Sequence, residues 1–308
     1  MTTFLTGPVT VSVPATSANL GPGFDALGLA LDLRDEVTAE VRDEPGVTIT
    51  VTGSGEGEVP LDERHLVYRS LRAALENMGC RVPGITLTCR NVVPHARGLG
   101  SSSAAIVAGV SAARGLVAGG RLLLDDDALF ALAAELEGHP DNVAPAMYGG
   151  ATVAYRDADR FHAVTVAVDP RVQVVAFVPP DGVETSVARG LLPATVPHAD
   201  AAANAGRAAL LVAALGRSPE LLLAATEDRL HQDYREPAMP ASLALVRSLR
   251  TAGLAAVVSG AGPTVLVFTD TAQQAEVARR SPEGWAALTV PIDRDGVRVR
   301  LPEEPAVG

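Results

Sequence analysis

The segment at residues 94–105, PHARGLGSSSAA, joins a turn that is almost free of side chains to the start of an apolar helix. Gly98 and Gly100 can adopt positive φ angles and allow a ligand to approach the main chain. Ser101, Ser102 and Ser103 follow at the start of the helix, where amide N–H groups lack partners, so their hydroxyls could cap the helix or face an anion and its metal. A glycine turn that opens a helix is typical of phosphate binding.

The usual phosphate loop carries a lysine after its last glycine. This chain contains no lysine, and all 25 of its basic residues are arginine. A phosphate bound here would therefore be held by main-chain amides rather than by an ammonium group. A capped, buried helix is the structural alternative, and three consecutive serines on an apolar helix favour ligand binding over it.

Three other segments carry polar residues in unusual settings. They are SANLGPGFDALG (17–28), ELEGHPDNVAPAMYGG (135–150) and SGAGPTV (259–265). Taken singly, the first is explained by turn chemistry, whereas the third fits a plain hairpin and a functional turn equally well. The second places two carboxylates, a histidine and an Asp-Asn pair within eight residues at a helix end, a density that indicates a metal or substrate pocket.

Two arginines could replace the missing lysine as cationic groups. Arg189 follows Thr185 by four residues, which places both on one face if the segment is helical, and Arg235 lies in HQDYREP, beyond a predicted helix. A guanidinium group can clamp a carboxylate through two parallel hydrogen bonds. Most of the other arginines are expected to be surface charge.

Hydrophobic patterns predict the elements that would position these groups. In the first half we expect strands at 9–13, 27–41, 47–51, 85–89 and 150–155, and helices at 65–79, from the glycine turn to about Leu116, and at 125–138. In the second half we expect strands at 164–168, 172–178, 254–259 and 264–268, helices at 198–215, 219–230 and 241–252, and a final helix and strand. Interleaved strands and helices in both halves predict a two-domain α+β protein with a boundary near residue 160, giving domains 1–160 and 161–308.

Composition limits the classes of function. A net charge of −11 argues against nucleic acid as a partner, but not against a small phosphorylated ligand. Cys80 and Cys89 form no disulfide framework or metal motif and are expected to be buried free thiols. No uninterrupted apolar run or signal peptide is visible, so we expect a cytoplasmic protein without a membrane partner.

In their order along the chain, VPATSANLGPGFDALGLAL, PHARGLGSSSA, EGHPDNVAPA and SGAGPT resemble the GHMP kinases, and most specifically the homoserine kinases among them. The resemblance spans residues 10–265. It implies a ribosomal protein S5-like N-terminal domain and a ferredoxin-like C-terminal domain with the active site between them. It also implies transfer of the γ-phosphoryl group of ATP to the hydroxyl of L-homoserine with Mg²⁺, a step on the route to threonine, and a homodimer.

The same resemblance assigns roles to residues at matching positions. The nucleotide would be bound by Asn91 and by Pro94, His95, Ala96, Arg97, Gly98, Leu99, Gly100, Ser101, Ser102, Ser103, Ala104 and Ala105. Ser102 would hold the magnesium with either Glu135 or Glu137, and we favour Glu135. The homoserine pocket would comprise Asn19, Asp25, His139, Asn142, Thr185, Arg189, Arg235 and Gly260, with Asp25 on the ammonium group and the arginines on the carboxylate. Asn142, Arg189 and Asn19 are the residues expected to act in catalysis.

Two alternative functions remain open for this sequence. A GHMP kinase could phosphorylate another small alcohol, but paired arginines and an aspartate favour an amino acid over mevalonate or a sugar. A non-catalytic ligand-binding member of the fold is the other, and the intact glycine turn, glutamates and arginines argue against it. Asp141 is the one local candidate for a general base, and we favour a structural role at the helix end.

Overall fold

In the computed structural model, which describes residues 3–302, one sixteen-residue strand organises the first of two sheets. This strand, β2 (Leu27–Arg42), pairs antiparallel with β1 (Val9–Ala18) on one edge and with β4 (Gly84–Asn91) and β5 (Ala151–Asp157) on the other. The sheet is completed by β3 (Gly46–Gly53) parallel to β4, β6 (Arg160–Val166) antiparallel to β5, and β11 (Arg298–Arg300) antiparallel to β1.

Five helices accompany this sheet: α1 (Leu66–Asn77), α2 (Ser101–Leu116), α3 (Gly120–Leu123), α4 (Asp126–Glu137) and α5 (Val143–Tyr148). The helix that follows the glycine turn, α2, is rich in alanine because it is buried against both α1 and the sheet. Its Gly109 allows close approach, since a Cβ there would collide with the carbonyl oxygen of Val67. At α4 the Asp125 carboxylate accepts the amide of Ala128 and caps the helix.

The second sheet has four antiparallel strands in the order β10-β7-β9-β8: β7 (Gln173–Val178), β8 (Ala255–Val258), β9 (Val265–Thr269) and β10 (Ala286–Val290). Its helices are α6 (Thr185–Gly190), α7 (His198–Gly216), α8 (Leu222–Ala225), α9 (Pro240–Thr251) and α10 (Gln274–Ala278). Short 3₁₀ helices cover Pro219–Leu221 and Asp233–Ala238. Two sheets with packed helices confirm the predicted α+β class.

A shared apolar core between the two sheets anchors the loops that carry polar motifs. Leu20 from the SANLGPGFD loop and Leu99 from the glycine turn are buried beside Val257, Leu266 and Leu211 of the second half. Burying a leucine side chain contributes about 2–3 kcal/mol. The backbones of both loops are therefore held in place by packing against the opposite half of the chain.

Most predicted elements are present, with one clear error. The helix predicted over residues 219–230 is wrong in extent, because regular structure there ends at Ala225. Beyond it the Asp228 carboxylate accepts the amides of Leu230, His231 and Gln232 and draws the chain into a turn. The boundary predicted near residue 160 stays a prediction, and both β6 and the late strand β11 pair within the first sheet.

Two expectations from composition can be compared with the structure. Cys80 and Cys89 are buried free thiols, as predicted, and burial raises the pKa of Cys89 to about 12. Within residues 3–302, every helix is too short or too polar to cross a bilayer.

A buried carboxylate fastens the C-terminal segment to the first sheet. The side chain of Asp293 is fully buried and bonds Arg34, Arg298 and the amides of Asp295 and Gly296. We expect Asp293→Ala to lower the free energy of unfolding by about 3–5 kcal/mol, because it leaves the largely buried Arg34 guanidinium without its counter-charge.

Urea unfolding followed by circular dichroism measures this loss. Asp295→Ala is the matched control, since it removes only a solvent-exposed pair with Arg298 and should cost much less. Equal losses in the two variants would show that the buried pair does not fasten the segment.

Candidate active site

The glycine turn has a conformation and a packing that only glycine allows. Gly98 and Gly100 have φ angles of 73° and 72°. A Cβ at Gly98 would collide with the carbonyl oxygen of Ser259, and a Cβ at Gly100 with the Thr16 hydroxyl. The turn is therefore packed between strand β1 and the loop that carries Ser259, with the N-terminus of α2 directly behind it.

The serines at the start of α2 face a glutamate from α4. Ser102 and Ser103 donate to the same oxygen of Glu137, at 2.6 Å and 2.7 Å. Glu135 is exposed and does not line the cavity beside Ser102, whereas Glu137 does. Residues two apart on a helix point to different faces, and it is Glu137 that points toward α2; this geometry favours Glu137 over the preferred Glu135, while the magnesium role itself stays a prediction.

A cavity of about 290 Å³ opens at this helix N-terminus and brings distant motifs together. Its predicted members are Asn19, Gly98, Gly100, Ser101, Ser102, Glu137, His139, Asn142, Thr185, Arg189, Arg235 and Gly260, with Ala96 and Asp141 alongside. Ala261, Val183 and Glu184 also line it and were not identified from sequence. All four motif segments contribute to this one cavity.

A second cavity of about 300 Å³ lies on the other side of the same helix start. Asn91, His95, Ala104 and Ala105 line it, and Ser101 and Ser102 line both cavities. The wall is mainly apolar and includes Val37, Val59 and Ala108. The two cavities therefore meet at the N-terminus of α2.

Some residues of the 94–105 segment face the protein rather than a cavity. Leu99 lies in the shared core, and Ser103 is fully buried. Arg97 donates to the carbonyl oxygens of Pro179, Pro180 and His95, so its charge tethers the segment to the second half of the chain. Pro94 lines neither cavity.

The SANLGPGFD loop has a strained backbone that its own side chains stabilise. Asn19, Leu20 and Asp25 have positive φ angles of 68°, 50° and 55°. The Asn19 side chain accepts the amide of Asp25 at 3.0 Å and donates to the carbonyl oxygen of Gly260 at 2.8 Å. Strain of this kind persists only where the surroundings fix the chain, which is common at functional sites.

Asp25 forms an ion pair with Arg189, and Arg189 lines the first cavity whereas the predicted pocket residue Asp25 is not among its lining residues. Both oxygens of Asp25 accept from the guanidinium group, at 2.7 Å and 3.0 Å, although the residues are 164 positions apart. The bond to Asp25 raises the pKa of Arg189. The helix α6 places Thr185 and Arg189 on one face, as predicted.

Arg235 is a buried cation that no carboxylate in residues 3–302 bonds directly. It is 1% exposed, and its hydrogen bonds go to two neutral acceptors, His231 Nδ1 at 3.0 Å and the Gly260 carbonyl at 3.1 Å. Its Nε is buried without a partner in that part of the chain. Burial and the nearby Arg189 lower the pKa of Arg235, so the charge is held at a cost that an anion in the cavity would offset.

A short network from the HPDN segment reaches the glycine turn. His139 Nδ1 bonds Asp141 at 2.8 Å, and Asn142 Oδ1 accepts from the Thr16 hydroxyl at 2.8 Å. Burial alone would lower the pKa of His139, but the bond to Asp141 and the charges of Asp141 and Glu137 raise it overall. Asp141 is 2% exposed and also accepts the amide of Asn142, a geometry that fits the structural role favoured for it.

Three residues that contact the site residues were not predicted from the sequence, although each lies in one of the segments described above. The centroid of the Phe24 ring lies 5.8 Å from the guanidinium carbon of Arg189 and 5.5 Å from that of Arg235. His231 bonds Arg235, and the Ser259 hydroxyl bonds the carbonyl oxygen of Gly98 at 2.6 Å. An aromatic in a polar loop and a histidine four residues before an arginine were the available signals.

The oxygen ligands of this site would suit a hard cation that is also bound by the phosphates of a nucleotide. No group of three or more acidic, histidine or cysteine side chains within residues 3–302 could hold a metal by itself. Ser102 and Glu137 together offer oxygen ligands, the type that Mg²⁺ prefers when phosphate and water complete its shell. The donor set therefore fits magnesium that arrives with a nucleotide.

Comparison with known proteins follows the same motifs. Residues 65–150 match the family model of the GHMP kinases N terminal domain, and residues 201–286 match that of the GHMP kinases C terminal. The homoserine kinase of Streptomyces avermitilis is 55% identical over 296 residues, 96% of this chain and 97% of that protein. The homoserine kinase of Streptomyces coelicolor is 53% identical over 96% of each chain. The crystal structure of homoserine kinase from Cytophaga hutchinsonii has a TM-score of 0.83 at 28% identity, and 97% and 99% of the two chains are covered.

The tight packing of Gly100 against Thr16 can be tested by substitution. We expect Gly100→Ala to weaken ATP binding by at least about tenfold, equivalent to about 1.4 kcal/mol, because its Cβ displaces either the turn or Thr16. Titration calorimetry measures the affinity.

Gly57→Ala is the control for this variant. Gly57 has a similar φ of 76° but no atom within 4 Å of the added Cβ, so it imposes the backbone strain without the collision. Equal ATP affinities in the two variants would mean that the turn does not bind the nucleotide.

Proposed function

Because the chain belongs to the GHMP kinase family, and within it to the homoserine kinases, we propose that its two adjoining cavities bind ATP and L-homoserine for direct phosphoryl transfer. The enzyme transfers the γ-phosphoryl group of ATP to the homoserine hydroxyl and forms O-phospho-L-homoserine on the route to threonine. The observation that carries the arrangement is that Ser101 and Ser102 line both cavities.

The nucleoside of ATP is assigned to the second cavity. The apolar wall of this cavity suits the adenine ring of ATP, and Asn91 and His95 supply polar groups at the edge of the cavity. From there the triphosphate would extend over Gly98 and Gly100 to the N-terminus of α2. Unpaired amides and the helix dipole stabilise negative charge at this position, which accounts for binding without lysine.

Magnesium is assigned to Ser102 and Glu137. The Ser102 hydroxyl and the Glu137 carboxylate lie 2.6 Å apart, so both could contact one ion. When bound, the ion would neutralise charge on the β- and γ-phosphates. Ser103 shares the same carboxylate oxygen and thereby orients Glu137 toward α2.

Homoserine is assigned to the first cavity through its two charges. A zwitterionic amino acid presents an ammonium and a carboxylate, and the Asp25–Arg189 pair, whose arginine lines the cavity, carries the complementary charges. The carboxylate would be shared by Arg189 and the uncompensated Arg235. Thr185, His139 and Gly260 line the remainder of the pocket.

The reaction needs positioning and charge stabilisation more than a general base. The homoserine hydroxyl oxygen forms a bond to the γ-phosphorus while the bond to the β–γ bridging oxygen breaks, and the hydroxyl proton passes to a phosphate oxygen. Asn142 Oδ1 is occupied by Thr16, so Nδ2 is the atom that can donate into the cavity toward the reacting oxygens. Asn19 fixes the loop through Asp25 and Gly260, and Arg189 fixes the substrate.

We also propose an assembly and a cellular location for the enzyme. A homodimer is proposed from the resemblance to homoserine kinases, and light scattering would test it. A cytoplasmic location is proposed because both cysteines are free thiols, as is usual in a reducing compartment.

Substrate choice tests the activity directly. ADP release should require both L-homoserine and Mg²⁺, and should be at least about a hundredfold slower with mevalonate, shikimate or galactose, since these lack the ammonium that Asp25 attracts. Turnover of mevalonate without turnover of homoserine would assign the enzyme to another branch. Nucleotide binding with no turnover would indicate a binding protein.

The two neighbouring glutamates provide a matched pair of variants. Glu137→Gln should lower kcat/KM by about a hundredfold or more and raise the Mg²⁺ concentration needed for half-maximal rate, because the negative charge of the proposed ligand is lost. Glu135→Gln should retain the wild-type values, since Glu135 is exposed and lies outside the cavity. The reverse result would return the magnesium role to Glu135.

A further inference from the structure

A histidine that has no part in the reaction lies directly behind Arg235. His231 is fully buried, and its ring stacks on Phe24 with centroids 5.2 Å apart. It contacts Arg235 through Nδ1 and the SANLGPGFD loop through Nε2, which is 2.8 Å from the carbonyl oxygen of Gly21. It therefore connects the loop that carries Asp25 to the buried arginine.

The two partners of His231 define its protonation state. A guanidinium group can only donate, so Nδ1 must accept from Arg235 and carries no proton. A carbonyl oxygen can only accept, so Nε2 must carry the proton and donate to Gly21. The geometry requires a neutral ring with its hydrogen on Nε2.

The surroundings hold the ring in this state. Asp228, whose side chain is 1% exposed, accepts the amides of Leu230, His231 and Gln232 and fixes the backbone that bears the ring. Its nearest oxygen is 3.6 Å from Nε2, beyond hydrogen-bond distance. Burial lowers the pKa of His231; the Asp228 charge opposes this shift and the Arg235 charge adds to it.

We propose that His231 is a positioning residue for homoserine: as a neutral acceptor it orients the Arg235 guanidinium toward the first cavity without neutralising it. Both acceptors that hold Arg235 are uncharged, which leaves its positive charge available for the substrate carboxylate. A carboxylate in place of His231 would satisfy that charge and remove the attraction for substrate. This role rests on the proposed function, in which Arg235 contacts homoserine.

Two amide variants separate the roles of the two ring nitrogens of His231. In His231→Asn the side-chain oxygen can occupy the position of Nδ1 and accept from Arg235, while the bond to Gly21 is lost. In His231→Gln the terminal NH₂ can occupy the position of Nε2 and donate to Gly21, while the acceptor for Arg235 is lost. We expect His231→Gln to raise the KM for homoserine about tenfold or more, and His231→Asn to raise it by less than about threefold.

A merely structural role predicts the opposite order. Asparagine leaves the larger gap beside Phe24, so thermal unfolding should show His231→Asn to be the less stable variant. The KM for ATP and the kcat at saturating homoserine should stay near wild type in both. A KM for homoserine that is raised equally in both variants, or more in His231→Asn, would overturn the proposal.

Two further measurements separate the role of His231 from the assignment of Arg235 to the substrate. Nitrogen-15 NMR of the histidine rings, assigned with the variants, should show His231 with an unprotonated Nδ1 and a protonated Nε2, and a protonated Nδ1 would overturn the proposal. Arg235→Gln should raise the KM for homoserine strongly. If it does not, the assignment of Arg235 to the substrate fails together with this inference; if it does and the amide variants do not separate, only the role of His231 fails.

Discussion

Close contact between backbones at one buried junction is the constraint on which the active site depends. The Ser259 hydroxyl bonds both the carbonyl oxygen of Gly98 and the hydroxyl of Ser17, and Gly260 accepts from Asn19 and Arg235. Three loops from separate parts of the chain thus meet within hydrogen-bond distance. Side chains at Gly98 or Gly100 would force them apart, so the small residues of these loops are a packing requirement as well as a means of admitting phosphate.

The junction also accounts for the way charge is distributed around the cleft. The chain carries a net charge of −11, yet the buried Arg235 lines the first cavity and, among residues 3–302, its hydrogen-bond acceptors are both neutral. A cation in this setting is unfavourable in the empty site and becomes favourable when an anion enters. Arg189 differs from Arg235, because Asp25 already neutralises its charge. The two arginines thus differ in what they require of a ligand.

The lack of lysine is consistent with a site in which main-chain amides are proposed to bind phosphate and arginines are proposed to bind the substrate carboxylate. Family relatives with about half of their residues identical to this chain are homoserine kinases, and the turn proposed to bind phosphate consists of glycine and serine at the N-terminus of α2. Arg189 and Arg235 line the first cavity, to which homoserine is assigned. Ser102 and Glu137 lie between the two sides, where a metal that accompanies the nucleotide would be needed.

Residue types and short-range periodicity were enough to predict the glycine turn that opens α2, the helical face shared by Thr185 and Arg189 and the buried thiols, because these features do not depend on distant contacts. The order of four motifs along the chain was enough to predict the family. The tertiary structure was needed to show that Glu137 rather than Glu135 faces Ser102, since this depends on how α4 is rotated against α2. It alone paired Asp25 with Arg189, and it alone buried Arg235 against His231, because long-range packing and not local pattern sets which charges meet and which lose their water.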